Sequence, residues 1–327
     1  MSESGSAREV LRALVFPGVL LGGMGITGVL YASGVGDLLP VAAGTLFASL
    51  ALLGFQRLLP FEETWKGRPG DFGIDLLHMV STSAAGELWR ALVFGLAVKA
   101  SVALAGLAGG SLWPTYLPWV AQLALALVVG DLGAYWLHRT CHTSPLLWRI
   151  HAMHHSTERM YVFAASRSHP LNFILAWGAA AVPLLVLGAP DSVLVMVGAF
   201  TAIHGMLQHA NVDMAHGPLN LVFATADLHR WHHSASFEES NSNYGSNLIF
   251  WDLVFGTRYL PDDRRAPARL GIEGLAMPES WLWHLASPVL LDRWTLAEVE
   301  ELDDFTLEAA LASAAGEQPG QAERPAL

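Results

Sequence analysis

Three histidine-rich strings carry most of the chemical information in this chain. They read HRTCH at 138–142, HAMHH at 151–155 and HRWHH at 229–233. On an α-helix, residues three and four apart share a face. His138 and His142 are spaced i, i+4. His151, His154 and His155 are spaced i, i+3, i+4, and His229, His232 and His233 repeat that spacing. Each string can therefore aim two or three imidazoles at one point. Eight of the fourteen histidines lie in these strings. Imidazole is the commonest metal ligand among side chains and suits iron, zinc, copper and nickel. Eight such ligands exceed the needs of one tetrahedral zinc and suit two metals. A pH-sensing cluster would not need the repeated spacing.

Two metals held by neutral rings are strongly cationic, so a nearby carboxylate helps. Asp131 and Tyr135 precede His138 by seven and three residues. Asp131, Tyr135, His138 and His142 thus form one stripe, with Asp131 expected to accept a ring N–H from a ligand. The competing expectation pairs Asp131 with Lys99 or another span. His209, in QHANV, is expected to complete the metal set. His169, before Pro170, and His204, five residues before His209, are weaker candidates for a ligand or for a bond to one. His78 and His284 read as ordinary hydrogen-bonded residues. The single cysteine, Cys141, excludes an intrachain disulfide. It points roughly 100° away from His142 on a helix and reads as a small buried thiol.

These residues need apolar elements to hold them. The 327 residues are 53% hydrophobic and only 14% charged, against roughly 25% charged in soluble domains. Mean hydropathy is +0.38. An integral membrane protein is expected, and nucleic acid is not expected as a partner of a chain with net charge −11. Four stretches reach the roughly 20 apolar residues of a span: Val10–Ala32, Leu38–Leu58, Leu88–Leu107 and Trp119–Leu137. Two shorter ones, Asn172–Leu187 and Ser192–Leu207, are joined by the turn GAPD and read as a helical hairpin of two short helices that either spans the bilayer or only dips into it.

Lys and Arg orient the bundle. The loops after spans one and three carry none, whereas Arg57, Lys66 and Arg68 lie between spans two and three, and Arg139 follows span four. The N-terminus and all histidine strings are therefore expected in the cytoplasm. Lys99 lies inside span three and must pair, snorkel or mark a shifted span. The fold class expected is all-α: a polytopic membrane bundle of four long spans plus the hairpin, with a cytoplasmic histidine-rich di-metal cap. Residues 1–260 are expected to form the catalytic domain and 261–327 an acidic cytoplasmic segment, partly disordered. Within it, Trp281–Leu291 suggests an interfacial helix, and the pattern from Thr295 an acidic amphipathic helix.

The three strings resemble those of the fatty acid hydroxylase/sterol desaturase superfamily of membrane di-iron enzymes. The DxxxY stripe, LLWRIHAMHHS, SRSHP, HAN and NYGSNLIFWDLVFGT add to the resemblance, which runs from about Asp131 to Thr257. It implies two irons, replaceable by zinc during purification, and O2-dependent oxidation of a lipid C–H bond. Position by position, it implies His138, His142, His151, His154, His155, His209, His229, His232 and His233 as metal ligands. Glu158 resembles a glutamate of the alkylglycerol monooxygenase branch and is a catalytic candidate with Asp131 and Tyr135. Asn172 departs from the acid that many relatives carry after HPL.

Asn243, Tyr244, Asn247 and Asp252 follow the last string and are expected to steady its histidines by hydrogen bonds. Arg167 and Arg230 can bind a polar head group or act as plain interfacial cations. The chain shows no CxxC, flavin fingerprint or cytochrome-like extension, so a separate electron-donor protein is expected. Hydroxylation of a sterol, fatty acyl or ether lipid is the leading activity. Desaturation on the same site, or a non-catalytic metal-binding membrane protein, are the alternatives.

Overall fold

The computed structural model describes residues 3–68 and 70–295. The acidic helix expected from Thr295 onward and the tail after it lie outside the described residues, apart from Thr295. Helices dominate, and among the described residues only isolated β-bridges occur. Six helices are long and apolar enough to cross a bilayer. They are α1 (Glu3–Ala32), α2 (Leu38–Leu58), α3 (Asp71–Ala108), α4 (Trp119–Thr143), α6 (Pro170–Leu187) and α7 (Asp191–His209). Between them α5 (Pro145–His155) lies at the end of α4, and α8 (Ala226–His232) follows α7. Short helices α9 (Phe237–Ser240), α10 (Phe250–Phe255), α11 (Trp281–Leu285) and α12 (Ser287–Leu290) complete the cap.

The four expected long spans and the helical hairpin are all present, and both hairpin helices are of spanning length. The hairpin helices α6 and α7 have 18 and 19 residues, about 27 Å and 28 Å at 1.5 Å per residue, close to the thickness of a bilayer core. His169 and Pro170 start α6 earlier than its apolar run suggests, because the His169 ring accepts from the Leu171 N–H. Span three is shifted and lengthened. It begins at Asp71, so Ser101 is level with Gly188 at the far end of α6. Lys99 is exposed near that end, where a long side chain can snorkel to the interface.

Packing follows chain order only in part. α1 packs on α2, and α7 packs on α1, α2 and α4, while α6 joins α3 to α4. Two glycines permit the closest crossings. A Cβ at Gly133 of α4 would lie 1.9 Å from the Ala179 carbonyl oxygen of α6, and one at Gly44 of α2 would lie 2.6 Å from the Gly23 oxygen of α1.

All helix ends that carry histidines meet at one end of the bundle. Asp213 ties the first helix there, accepting from Arg12 at 2.9 Å and Arg265 at 2.6 Å. Contacts run across the expected boundary at residue 260. Ala235 N–H donates to the Arg269 carbonyl, and Leu291 and Trp294 pack on Ala152 of α5. Apolar side chains at 272–294 need a partner, and α5 supplies it. The single interfacial helix expected over Trp281–Leu291 is two short helices, α11 and α12, divided at Ala286.

Candidate metal centre

Nine imidazoles converge where α4, α5, α7 and α8 meet. α4 contributes His138 and His142, and α5 contributes His151, His154 and His155. His209 is the last residue of α7, His229 and His232 lie on α8, and His233 caps its C-terminus. Ser144 starts α5 by accepting from Leu147 N–H, with Pro145 in the first turn, a favoured start for a helix. That start turns the chain after α4 so that the two strings face one another.

The rings form two groups. His138, His142, His151, His155 and His232 make one; His154, His209, His229 and His233 make the other. Within each group the candidate ligand atoms lie within 4.8 Å of one another. The groups abut, with the His155 and His233 rings stacked at 4.5 Å.

The Nδ1 atoms are mostly engaged outward. His138 donates to the Tyr244 carbonyl at 2.8 Å, His154 to Arg167 at 3.0 Å, His209 to Gly205 at 2.8 Å and His232 to Ser242 at 2.7 Å. His151 Nδ1 donates to Asn172 Oδ1 at 3.2 Å. Bonds of this kind fix the tautomer and leave Nε2 as the free lone pair. The Nε2 atoms of His138, His142 and His232 are buried without a partner. Others crowd one another: His155 to His151 at 3.1 Å, His233 to His154 at 3.2 Å and His229 to His209 at 3.1 Å. Nitrogens bonded to one metal at about 2.1 Å lie about 3.4 Å apart in a tetrahedron. Spacing and chemistry therefore fit metal ions shared by neutral rings.

Burial keeps the rings neutral. His151, His155, His229, His232 and His233 sit well below the ordinary imidazole range, pushed first by burial and then by neighbouring imidazoles. His154 is also lowered by burial. Trp148 packs its ring on His142 and His155, closing part of the site.

The other candidates fall elsewhere. Asp131 accepts no imidazole N–H, contrary to expectation, and it does not pair with Lys99. Its carboxylate receives the Asn247 backbone N–H at 3.0 Å and the Asn247 amide at 2.8 Å. The stripe geometry points it at the 244–248 turn instead of the rings. Tyr135 bonds Thr257 at 2.9 Å and Arg139 at 3.2 Å. Asp252 accepts from the N–H groups of Tyr244 and Gly245, both at 2.8 Å, and so steadies the residue whose carbonyl holds His138. Asn243 has φ +53° and clamps Leu228 and Tyr259. Glu158 is exposed, three residues beyond His155.

His169 is spent on capping α6 and on the Leu285 carbonyl at 3.2 Å, and it joins neither group. His204 is enclosed by Phe16, Phe200 and Phe223 and is also outside both groups. His78 and His284 bond one another at 2.9 Å. Arg230 is buried, pairs with Asp227 and covers the Phe61 ring at 3.7 Å. It is not a surface cation.

Sequence reasoning missed the carbonyls of Tyr244, Arg167, Gly205 and Ser242, because backbone acceptors leave no trace in residue type. Trp148 and the Asn172 amide did have a signal, since both lie within or beside the recognised strings.

The family model for fatty acid hydroxylase matches residues 123–257. The chain is 40% identical over 237 residues to the ornithine lipid hydroxylase OlsE of Rhizobium tropici, covering 72% of this chain and 71% of that relative. This chain belongs to the fatty acid hydroxylase family. This chain is also 32% identical over 152 residues to human alkylglycerol monooxygenase, covering 45% of this chain but only 34% of that protein. A very-long-chain aldehyde decarbonylase of Oryza sativa matches at 25% over 140 residues. No solved structure matches. The hydroxylase is thus a membrane-bound oxidoreductase of a lipid-modifying family.

Proposed function

We propose that this hydroxylase inserts oxygen into a C–H bond of a polar-headed membrane lipid of the ornithine lipid type, using two irons and O2. The observation that carries the reading is the gathering of nine imidazoles, six buried and three half-buried, into two abutting groups. The likeness to an ornithine lipid hydroxylase over most of both chains supports the substrate class.

The five-histidine group would hold one iron and the four-histidine group the other, and zinc fits the same rings. Two irons, once loaded and reduced, supply the O2 activation that an unactivated C–H bond requires. The chain does the rest. Its buried rings stay neutral, so their lone pairs face inward at neutral pH. Carbonyls of 167, 205, 242 and 244 orient four of those rings, and Asn172 orients a fifth. Asp131, Tyr135 and Asp252 act through the 244–257 segment, as positioning residues for His138. Burial of the site restricts water.

The reading includes a separate electron donor reaching the cap from the cytoplasm. Arg57, Lys66, Arg68 and Arg139 all lie at the cap end, which supports that orientation.

The test is metal content and turnover of the purified chain beside the His154→Ala/His155→Ala double variant. About two irons per chain, with a lipid product gaining one oxygen atom when a reductase system is supplied, is the expected result. Metal content unaffected by the double variant would overturn the two-metal assignment. A product that instead loses two hydrogens would make the enzyme a desaturase.

A further inference from the structure

A polar cavity of about 120 Å³ lies directly beside the second histidine string. Ser156, Thr157, Glu158 and Arg159 form one wall, immediately after His155, and residues 272–279 form the opposite one. Arg167 and His284 also line it. Nothing in the metal assignment uses this space.

Its charges are arranged in two layers. In the floor, Arg167 is 3% exposed. Its Nε donates to Asp75 at 2.6 Å, and its Nη2 donates to Asp71 at 3.2 Å. Arg159 pairs with Asp71 at 3.2 Å. Two arginines are thus balanced by two aspartates. Arg167 Nη1 has no hydrogen-bond partner among the described residues, and its nearest carboxylate, Glu279, is 3.6 Å away. At the mouth, Glu279 is exposed, and Glu158 is exposed with no ion pair among the described residues. The cavity therefore offers one cationic N–H of the buried Arg167 inside and two acids at its rim.

The location suits a lipid. α11 forms an adjacent wall, docked on α3 by Trp281 Nε1 to Ser81 Oγ at 3.4 Å. Leu282 and Val289 on α11 and α12 are exposed, a surface on which acyl chains can lie. Arg167 lines the cavity, and its backbone carbonyl is the acceptor for His154 Nδ1. One residue thus joins the cavity to the metal centre.

We propose that this cavity seats the lipid head group and selects heads that carry both an anionic group and a primary ammonium. The anionic oxygens take Arg167 Nη1, and the ammonium sits between Glu158 and Glu279, each contact a charge-assisted hydrogen bond. Ornithine lipid and phosphatidylethanolamine share this chemistry; phosphatidylglycerol lacks the ammonium. The assignment rests on the polar-headed lipid reading above.

The experiment is equilibrium binding of these three lipids to the full-length chain in detergent, read by native mass spectrometry. It is done on metal-free and iron-loaded protein, and on the Glu158→Gln/Glu279→Gln double variant. Both sites are exposed, so an unchanged unfolding midpoint is the folding control. Wild type is expected to bind the two zwitterionic lipids about tenfold or more tightly than phosphatidylglycerol. The double variant should lose that preference, and free ornithine should compete. Ornithine lipid bound above phosphatidylethanolamine would identify a carboxylate as the anion, and equal binding would identify the anion–ammonium pair alone. Equal wild-type affinity for all three lipids, no effect of the double variant, or no competition by free ornithine would overturn the proposal. Because binding is read without turnover, a chain that binds as expected but hydroxylates nothing would refute the oxygenase reading and leave the head-group site standing.

Discussion

At the residue scale, the centre is governed by which atom of each imidazole is free. The Asn172 side chain receives the Nδ1 proton of His151, whereas His138, His154, His209 and His232 donate to backbone carbonyls. Asn172→Leu removes that acceptor and should weaken metal binding about 10–100-fold. Asn172→Asp should keep it, and competition with a metal chelator measures both. A second outcome concerns pH. The six rings outside the spans, at 151, 154, 155, 229, 232 and 233, titrate below the ordinary imidazole value. Below about pH 6.5 the unfolded chain takes up protons that the folded chain refuses. Metal-free protein should hold its full stability above about pH 6.5 and lose it progressively as the pH falls. Unfolding midpoints measured across that range check the sign, and a flat profile would contradict the neutral-ring account.

At the element scale, the site depends on close helix crossings and one buried charge cluster. Gly133→Ala drives a Cβ into the Ala179 carbonyl of α6, and backbone cannot step aside as a side chain can. The expected loss is about 3 kcal/mol, read by denaturant titration in detergent. Gly54→Ala on α2, whose Cβ meets nothing within 4 Å, is the control and should be neutral or mildly stabilising. Asp75 holds α3 to the 159–167 segment through Arg167 at 2.6 Å and the Tyr161 hydroxyl at 2.6 Å. Asp75→Asn leaves a buried guanidinium short of charge, at a cost of about 3–5 kcal/mol. Because the Arg167 carbonyl holds His154, the same variant should also lose metal from the four-histidine group, which metal analysis of the surviving folded fraction would show.

At the scale of the whole molecule, six membrane-length helices gather the histidines at one end, so the proposed orientation has a direct test. With the cap in the cytoplasm, Ser111→Cys on the loop after α3 should react with a membrane-impermeant thiol reagent on intact cells. Arg269→Cys in the cap should react only after lysis. The native Cys141 is buried and gives little background. The reverse pattern would place the histidine centre outside, away from cytoplasmic reductants. Separately, purified chain supplied with O2 and lipid but no electron donor should show no turnover.

The clustering of the histidines was legible in the sequence because helical periodicity is rigid. Spacing of i, i+3 and i+4 forces His151, His154 and His155, or His229, His232 and His233, onto one face wherever the helix lies. Apolar length likewise announced the spans, though α3 began far upstream of its apolar run because Asp71 and Asp75 are neutralised by arginines distant in sequence. Pairing was beyond the sequence. Which rings share a group, which carbonyl orients each ring, and where Asp131 points all depend on how helices cross, and crossings are decided by contacts such as Gly133 on Ala179. The same holds for the cavity beside His155, whose walls come from segments more than a hundred residues apart. Local geometry is written in the order of residues; convergence of distant residues is decided only when the helices pack.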